Sequence, residues 1–417
     1  MAAIPVLVLL GSTDWEGPLV AGLAHPASGI VIARRCLDTA DLLAAAAAGL
    51  GRAVVLGADA PRLDADVIDR VHRTGMAVVG VVTSGDDDAA ALLHRWRVEV
   101  VVHVDVADLG GAVRETATAL EACLGVPHGS GVREPALQPS GDGQVVTVWG
   151  PPGAPGRTTV ALALADEAAR AGHDVLLIDA DTWAPSVTIT LGVVDDGAGL
   201  ASACRRALAG ALDVTSLAGL AREVRPGLRV LPGLPRAGRW TEVRATALAD
   251  VLACARELSA LVVVDVAAPL EQDEELVFDT DAPRRNAATL AALECADVVL
   301  AVGTCDPAGL VRLVSGLSDL HDAVPGLDPR VVVTRVRESV VGRRPDAAIA
   351  DALHRHAGIV HPTCIPDDRE AFDSALRTGR TLAESAPSSR ARAALRSLTT
   401  DVLRELGLVR VVVPMAR

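Results

Sequence analysis

Lysine is absent from all 417 residues, tyrosine is absent as well, and phenylalanine occurs only 2 times. Every strong side-chain cation is therefore an arginine. With aromatics at 2% of the chain, the cores have to be built from Val, Leu and Ala, which suits layered α/β packing. No apolar run approaches the ~20 residues that cross a bilayer. Residues 1–10 are apolar but lack the basic segment of a secretory leader and run into Gly11-Ser12-Thr13-Asp14. They are expected to form a first strand of a soluble, cytoplasmic protein. Cys36, Cys123, Cys204, Cys254, Cys295, Cys305 and Cys364 form no C-x-x-C pair, an odd and scattered set that fits reduced thiols. The formal net charge of −14 argues against a general nucleic-acid-binding surface.

A chain of this length, half of it hydrophobic, predicts two domains with sizeable cores. Short aliphatic runs at 4–10, 29–33, 53–57, 77–82 and 99–104 alternate with helical patterns at 42–50, 64–73, 89–96 and 112–123. That rhythm predicts a doubly wound parallel sheet covered on both faces over residues 1–125. Residues 126–143 mix Gly, Pro, Ser and charge without periodicity and read as a linker. A second doubly wound α/β domain is expected over 144–406, followed by a tail, 407–417.

The second domain is organised around Val145-Val-Thr-Val-Trp-Gly-Pro-Pro-Gly-Ala-Pro-Gly-Arg-Thr-Thr159. It reads as a buried strand, a loop punctuated by Gly150, Gly153 and Gly156, and a helix starting near Arg157. Glycines let backbone N–H groups approach a ligand, and a helix N-terminus adds a positive dipole end, so the stretch is a candidate phosphate cradle. The P-loop pattern G-x-x-x-x-G-K-[ST] has glycine where Pro151 stands and lysine where Arg157 stands. Strands at 175–181 and 261–265 end in Asp179, Asp181 and Asp265. Ligands of open α/β sheets sit outside the carboxyl ends of strands, so these carboxylates are expected to face the cradle. Phosphates beside carboxylates call for Mg²⁺, with Thr158, Asp179 and Asp265 as its expected ligands.

The first domain resembles a response-regulator receiver domain, a flavodoxin-like fold. Gly57 stands where such a domain carries its phospho-accepting aspartate, and the lysine required after the fifth strand does not exist here. Asp59 and Asp64 read as solvated loop carboxylates, and Asp86-Asp87-Asp88 as a turn and helix start. The domain is expected to act as a pseudo-receiver for docking or dimerisation. Residues 144–400 resemble the MinD/ParA group of P-loop ATPases, and within it the CpaE/TadZ and actinobacterial septum-site-determining branch. That group carries K-G-G-x-G-K-[ST]-[ST]. Here Pro152 replaces the first lysine, Ala154 a glycine and Arg157 the second lysine, while Gly153, Gly156, Thr158 and Thr159 match.

The resemblance implies ATP and Mg²⁺ as cofactors, with Asp181 placing the attacking water, Arg157 on the phosphates, and Asp265 as the Walker B carboxylate. Thr334-Arg335 stands where the group has Asn-Arg to read adenine, and Pro366 falls in the loop beside the base. It also implies a nucleotide-dependent homodimer and a protein partner in septum or pilus-assembly machinery. Losing the lysine at Pro152 predicts slow hydrolysis, since a missing arginine-finger equivalent costs on the order of 10³–10⁵ in rate.

Other readings of the same residues exist. The double lysine loss also fits a nucleotide-free pseudo-ATPase scaffold. A Rossmann dinucleotide enzyme would need G-x-G-x-x-G, and Pro152 breaks that fingerprint. The acidic stretch 271–281 reads as a solvated loop in preference to a partner-binding lid, and Arg284-Arg285 as a helix start in preference to a phosphate contact. His354 and His356, at i and i+2, face apart on a helix, so with His361 and Cys364 they read as surface and core residues, not a zinc site. The tail from Val409 has a β-branched run and little basic face, so no direct membrane anchor is expected.

Overall fold

The computed structural model describes residues 3–11, 13–125, 143–193, 197–271 and 284–408. The linker up to 142, the acidic stretch from 272 to 281 and the tail from 409 lie outside the described residues. Two compact units result, one from residues up to 125, the other from 143–271 and 285–408.

In the first unit β1 (Ile4–Leu9), β2 (Ile30–Arg35), β3 (Ala53–Gly57), β4 (Ala77–Thr83) and β5 (Val100–Val104) pair in parallel in the order β2-β1-β3-β4-β5. This is the doubly wound order of flavodoxin-like folds. All of β3 is buried, which is why its sequence is an unbroken apolar run. Helices α2 (Thr39–Ala47), α3 (Ala65–Arg73) and α4 (Asp87–Arg95) cover one face. Helices α1 (Glu16–Leu23) and α5 (Leu109–Gly125) cover the other. Asp38, Asp64 and Asp86 each cap a helix, accepting from the N–H of Asp41, Val67 and Ala89. Gly57 ends β3, and the Asp59 carboxylate beyond it lies so close to Gly11 that a Cβ there would overlap it.

The second unit holds an 8-stranded sheet in the order β13-β12-β11-β6-β10-β7-β9-β8. Its strands are β6 (Gln144–Trp149), β7 (Val175–Ala180), β8 (Arg222–Arg225), β9 (Leu228–Leu231), β10 (Leu261–Val266), β11 (Val298–Thr304), β12 (Arg330–Val336) and β13 (Thr363–Pro366). All pairs are parallel except the edge pair β8–β9. Side chains of β6 alternate between layers: Val145 and Trp149 enter one core, Val146 and Val148 the other.

The Trp149 layer is closed by α8 (Gly199–Leu208), α9 (Val214–Leu220), α10 (Ala245–Leu258), α11 (Ala287–Glu294), α12 (Pro307–Ala323) and α14 (Pro345–Ala357), with α13 (Glu338–Val341) at its margin. The opposite layer is closed by α6 (Arg157–Arg170), α7 (Val187–Thr190), α15 (Arg369–Thr378), α16 (Leu382–Ser385) and α17 (Arg390–Glu405). Arg392 of α17 grips Glu167 of α6 through Nε and Nη2, at 2.6 and 3.3 Å from its two carboxylate oxygens. Because β6 lies between β10 and β11, the loop after it opens at a topological switch point. His354 and His356 lie on α14, and Cys364 lies in β13.

Candidate functional site

The loop from Gly150 to Gly156 joins β6 to α6, and its glycines are needed for different reasons. Gly153 and Gly156 have φ of 76° and 113°, a region that side chains with a Cβ avoid. At Gly150 the backbone is ordinary, but a Cβ would run into the Val302 carbonyl of β11. Gly156 is the N-cap of α6 and provides no side-chain cap. The first N–H groups of the helix therefore point into the loop as anion donors. Pro152 contributes neither an N–H nor a charge.

Thr158, in the first turn of α6, donates from Oγ1 to Asp265 Oδ2 at 2.6 Å and lies 3.3 Å from Ser186 Oγ. Asp265 Oδ1 is buried and has no hydrogen-bond partner. Asp179, at the end of β7, accepts from the N–H groups of Ser186 and Val187 at 3.0 Å each and from Asp181 N at 3.3 Å. Asp181 Oδ1 accepts from the N–H groups of Trp183 and Ala184 at 2.8 Å. Its Oδ2 lies 3.6 Å from Arg157 Nη2, and Arg157 Nη1 donates to the Gly150 carbonyl at 3.3 Å. Thus Thr158, Asp179, Asp181, Asp265, Arg157 and the glycine loop converge at one end of the sheet.

Burial dominates the electrostatics. It pushes Asp179 up to about 7, with the neighbouring Asp181 adding to the shift and the three backbone N–H groups opposing it. Asp265 is held well above the usual carboxylate range, first by burial and then by Asp179, against the pull of the Thr158 hydroxyl. Two buried carboxylates, a hydroxyl and an unpartnered carboxylate oxygen make a donor set that fits a hard divalent cation such as Mg²⁺. Thr158 and Asp265 have coordinating capacity to spare. Asp179 spends most of its own on holding the turn into α7.

On the other side of the loop is a cavity of about 260 Å³ bordered by Gly156, Thr159, Thr334, Arg335, Pro366 and Phe372. The Thr334 hydroxyl is within bonding distance of the Gly303 and Pro155 carbonyls, at 3.0 and 3.2 Å. Its one hydrogen braces the loop, which leaves the oxygen only as an acceptor. Arg335 adopts φ 56°, a strained conformation for a residue with a side chain.

Sequence reasoning missed Ser186, Phe372, Arg312 beside Gly153, and the contacts of Arg285. Phe372 is one of only 2 phenylalanines in the chain, a scarcity that marks it. The Arg285 guanidinium sits 4.0 Å from the Trp183 ring centroid and 5.2 Å from that of Trp240. Among the described residues no group of three or more His, Cys, Asp or Glu side chains is placed to hold a metal ion, so a cation at Asp265 would draw the rest of its ligands from Thr158, phosphate and water. No helix among them is long and apolar enough to cross a membrane.

No protein-family model and no curated protein sequence matches this chain. Solved structures do, and the fold they define is that of the ParA/MinD ATPases. The ParA family ATPase from Chlorobium tepidum aligns with a TM-score of 0.52 at 16% identity, over 62% of this chain and 98% of its own. The septum site-determining protein MinD from Pyrococcus horikoshii, solved as its Mg-ADP complex, aligns with a TM-score of 0.50 at 19% identity, over 64% of this chain and 98% of its own. At these identities the likeness is one of fold.

Proposed function

We propose that the chain binds ATP with Mg²⁺ in the loop around Gly153 and Gly156 and works as a positioning protein of the MinD/ParA kind. The observation that carries this reading is the direct bond from Thr158 Oγ1 to Asp265 Oδ2, with the second oxygen of Asp265 buried and unpartnered beside it. The two side chains expected to hold a phosphate-bound metal touch at the foot of a glycine loop. The Mg-ADP complex of the Pyrococcus MinD supports the same use of this fold.

In this reading Thr158 and Asp265 hold the metal, Asp179 fixes the turn behind it, and the α6 N-terminus and Arg157 meet the phosphates. Bound Mg²⁺ would neutralise phosphate charge. The base enters the cavity bordered by Thr334, Arg335 and Pro366. Asp181 places the attacking water, but its carboxylate is already engaged with Arg157, and Pro152 supplies no cation. Hydrolysis is therefore slow. The nucleotide controls dimerisation, the partner belongs to septum or pilus-assembly machinery in the cytoplasm, and the first unit serves as a receiver-like docking module without phosphorylation.

The test is calorimetric titration of Mg²⁺–ATP into wild type and Thr158→Ala. Saturable binding that weakens in the variant is the expected result. No binding to wild type at millimolar ATP would replace this reading with the nucleotide-free scaffold.

A further inference from the structure

Charged side chains rarely keep a buried polar atom unpartnered, because water is given up and nothing replaces it. Six such side-chain atoms are described in the second unit; Ser259 Oγ and Thr381 Oγ1 lie elsewhere, and the other four belong to residues around Asp181. Asp265 Oδ1, Arg157 Nε, Thr182 Oγ1 and Arg285 Nη1 are all buried without a hydrogen-bond partner. The first two belong to the cradle already described. The other two, on Thr182 and Arg285, are joined to each other through the Thr182 carbonyl and are not explained by the cradle.

Arg285 is held there with care. Its Nη2 donates to the Thr182 carbonyl at 3.1 Å, and its guanidinium lies over Trp183 and near Trp240. The next residue, Asn286, accepts from Trp183 Nε1 at 3.1 Å and donates from Nδ2 to the Glu271 carbonyl at 2.8 Å. Both the ring that carries the guanidinium and the backbone that bears it are thus fixed. The position is an unfavourable one for a cation, since Arg285 immediately precedes the N-terminus of α11, whose first turn holds no acid. Burial pulls the Arg285 pKa down and the Asp181 carboxylate opposes that shift; Asp181 Oδ2 is also 3.6 Å from Arg157 Nη2. Two arginines therefore act on one aspartate, each with a buried donor to spare.

We propose that Arg285 is the cation that binds the terminal phosphoryl group of a nucleoside triphosphate, and so distinguishes triphosphate from diphosphate. The two tryptophans keep the planar fork extended, and the free Nη1 is the donor presented to the ligand. With Pro152 unable to supply charge, this second cation comes from the start of α11 in the same chain. The proposal rests on the nucleotide reading above and deepens it.

The experiment is titration of Mg²⁺–ATP and, separately, Mg²⁺–ADP into the full chain as wild type, Arg285→Gln and Arg285→Lys. In Arg285→Gln the affinity for ATP is expected to fall about tenfold or more, as befits a lost charged hydrogen bond, while that for ADP changes less than about twofold. Arg285→Lys keeps the charge and the tryptophan contact but not the fork, so it retains part of the preference. A packing role alone would lower the melting temperature and leave the ratio of ATP to ADP affinity unchanged. That ratio unchanged in both variants, with wild type binding, overturns the proposal and spares the nucleotide site. Wild type binding neither nucleotide overturns both.

Discussion

At the scale of the residue, the site is a set of buried charges that the apoprotein tolerates at a cost. Asp179 and Asp265 both have folded-state affinities for protons above those of an unfolded chain. Between about pH 4 and about pH 7 the folded state keeps protons that the unfolded state has released, so stability falls as pH rises through that window. Thermal unfolding without metal should therefore give a lower midpoint at about pH 8 than at about pH 5.5. In Asp265→Asn the slope should flatten and the midpoint at about pH 8 rise by about 3 °C or more; an undiminished slope would clear Asp265 of the effect. Gly156→Ala should cost about 1–3 kcal/mol in denaturant unfolding, because φ is 113° and the new methyl would meet Thr334 at 3.2 Å. An unaltered midpoint would mean that the loop relaxes freely. Much of this was readable in the sequence: the glycine spacing, Thr158 and the strand-end aspartates are local signals. The Trp183–Arg285–Trp240 stack was not, because Trp183 and Asn286 are 103 residues apart and only the sheet order brings them together.

Elements separate in the same way by how local their signals are. Buried parallel strands are mostly Val, Leu and Ile runs, so β1, β3, β4, β6, β7 and β10 stand out within a residue or two, while β2, Ile30-Val-Ile-Ala-Arg-Arg35 and largely exposed, is marked only by its first three residues. Helix α1 does not stand out: Trp15 at its N-cap gives no side-chain capping bond, its Nε1 donating instead to Thr83 Oγ1, and Gly17, Pro18 and Gly22 blur the apolar stripe. The β8–β9 edge hairpin is short and charged, with Arg222, Glu223 and Arg225 outward or half-buried, and it turns at Pro226-Gly227 with φ 80° at the glycine. The contact between α6 and α17 makes a prediction of its own. Arg392→Ala leaves Glu167, whose side chain is 5% exposed, charged and unmatched. It should cost about 3 kcal/mol in urea unfolding, and the double variant Glu167→Leu/Arg392→Leu should recover most of that. A loss under about 1 kcal/mol would show the pair to be a surface interaction.

For the whole molecule, each unit has its own sheet and its own two-sided core. Residues 1–125 made alone are expected to be monomeric or dimeric on gel filtration, with the circular dichroism of a mixed α/β domain. An unfolded spectrum would refute the independence of that domain. The second unit is put together differently, and the consequence lies in time. Strand β6 is hydrogen-bonded on one side to β10 and on the other to β11, both made more than 100 residues later. At ~5–20 residues per second, the innermost strand of the sheet waits on the order of ten seconds after synthesis before either edge can be covered. Through that interval Val145, Val146, Val148 and Trp149 form an apolar strand with two open edges, which is a template for wrong pairing. The glycine loop behind them has no floor until the ribosome has released β11. The nascent chain, not the finished protein, is the form in which this molecule is most exposed to aggregation, and a chaperone has its longest opportunity there.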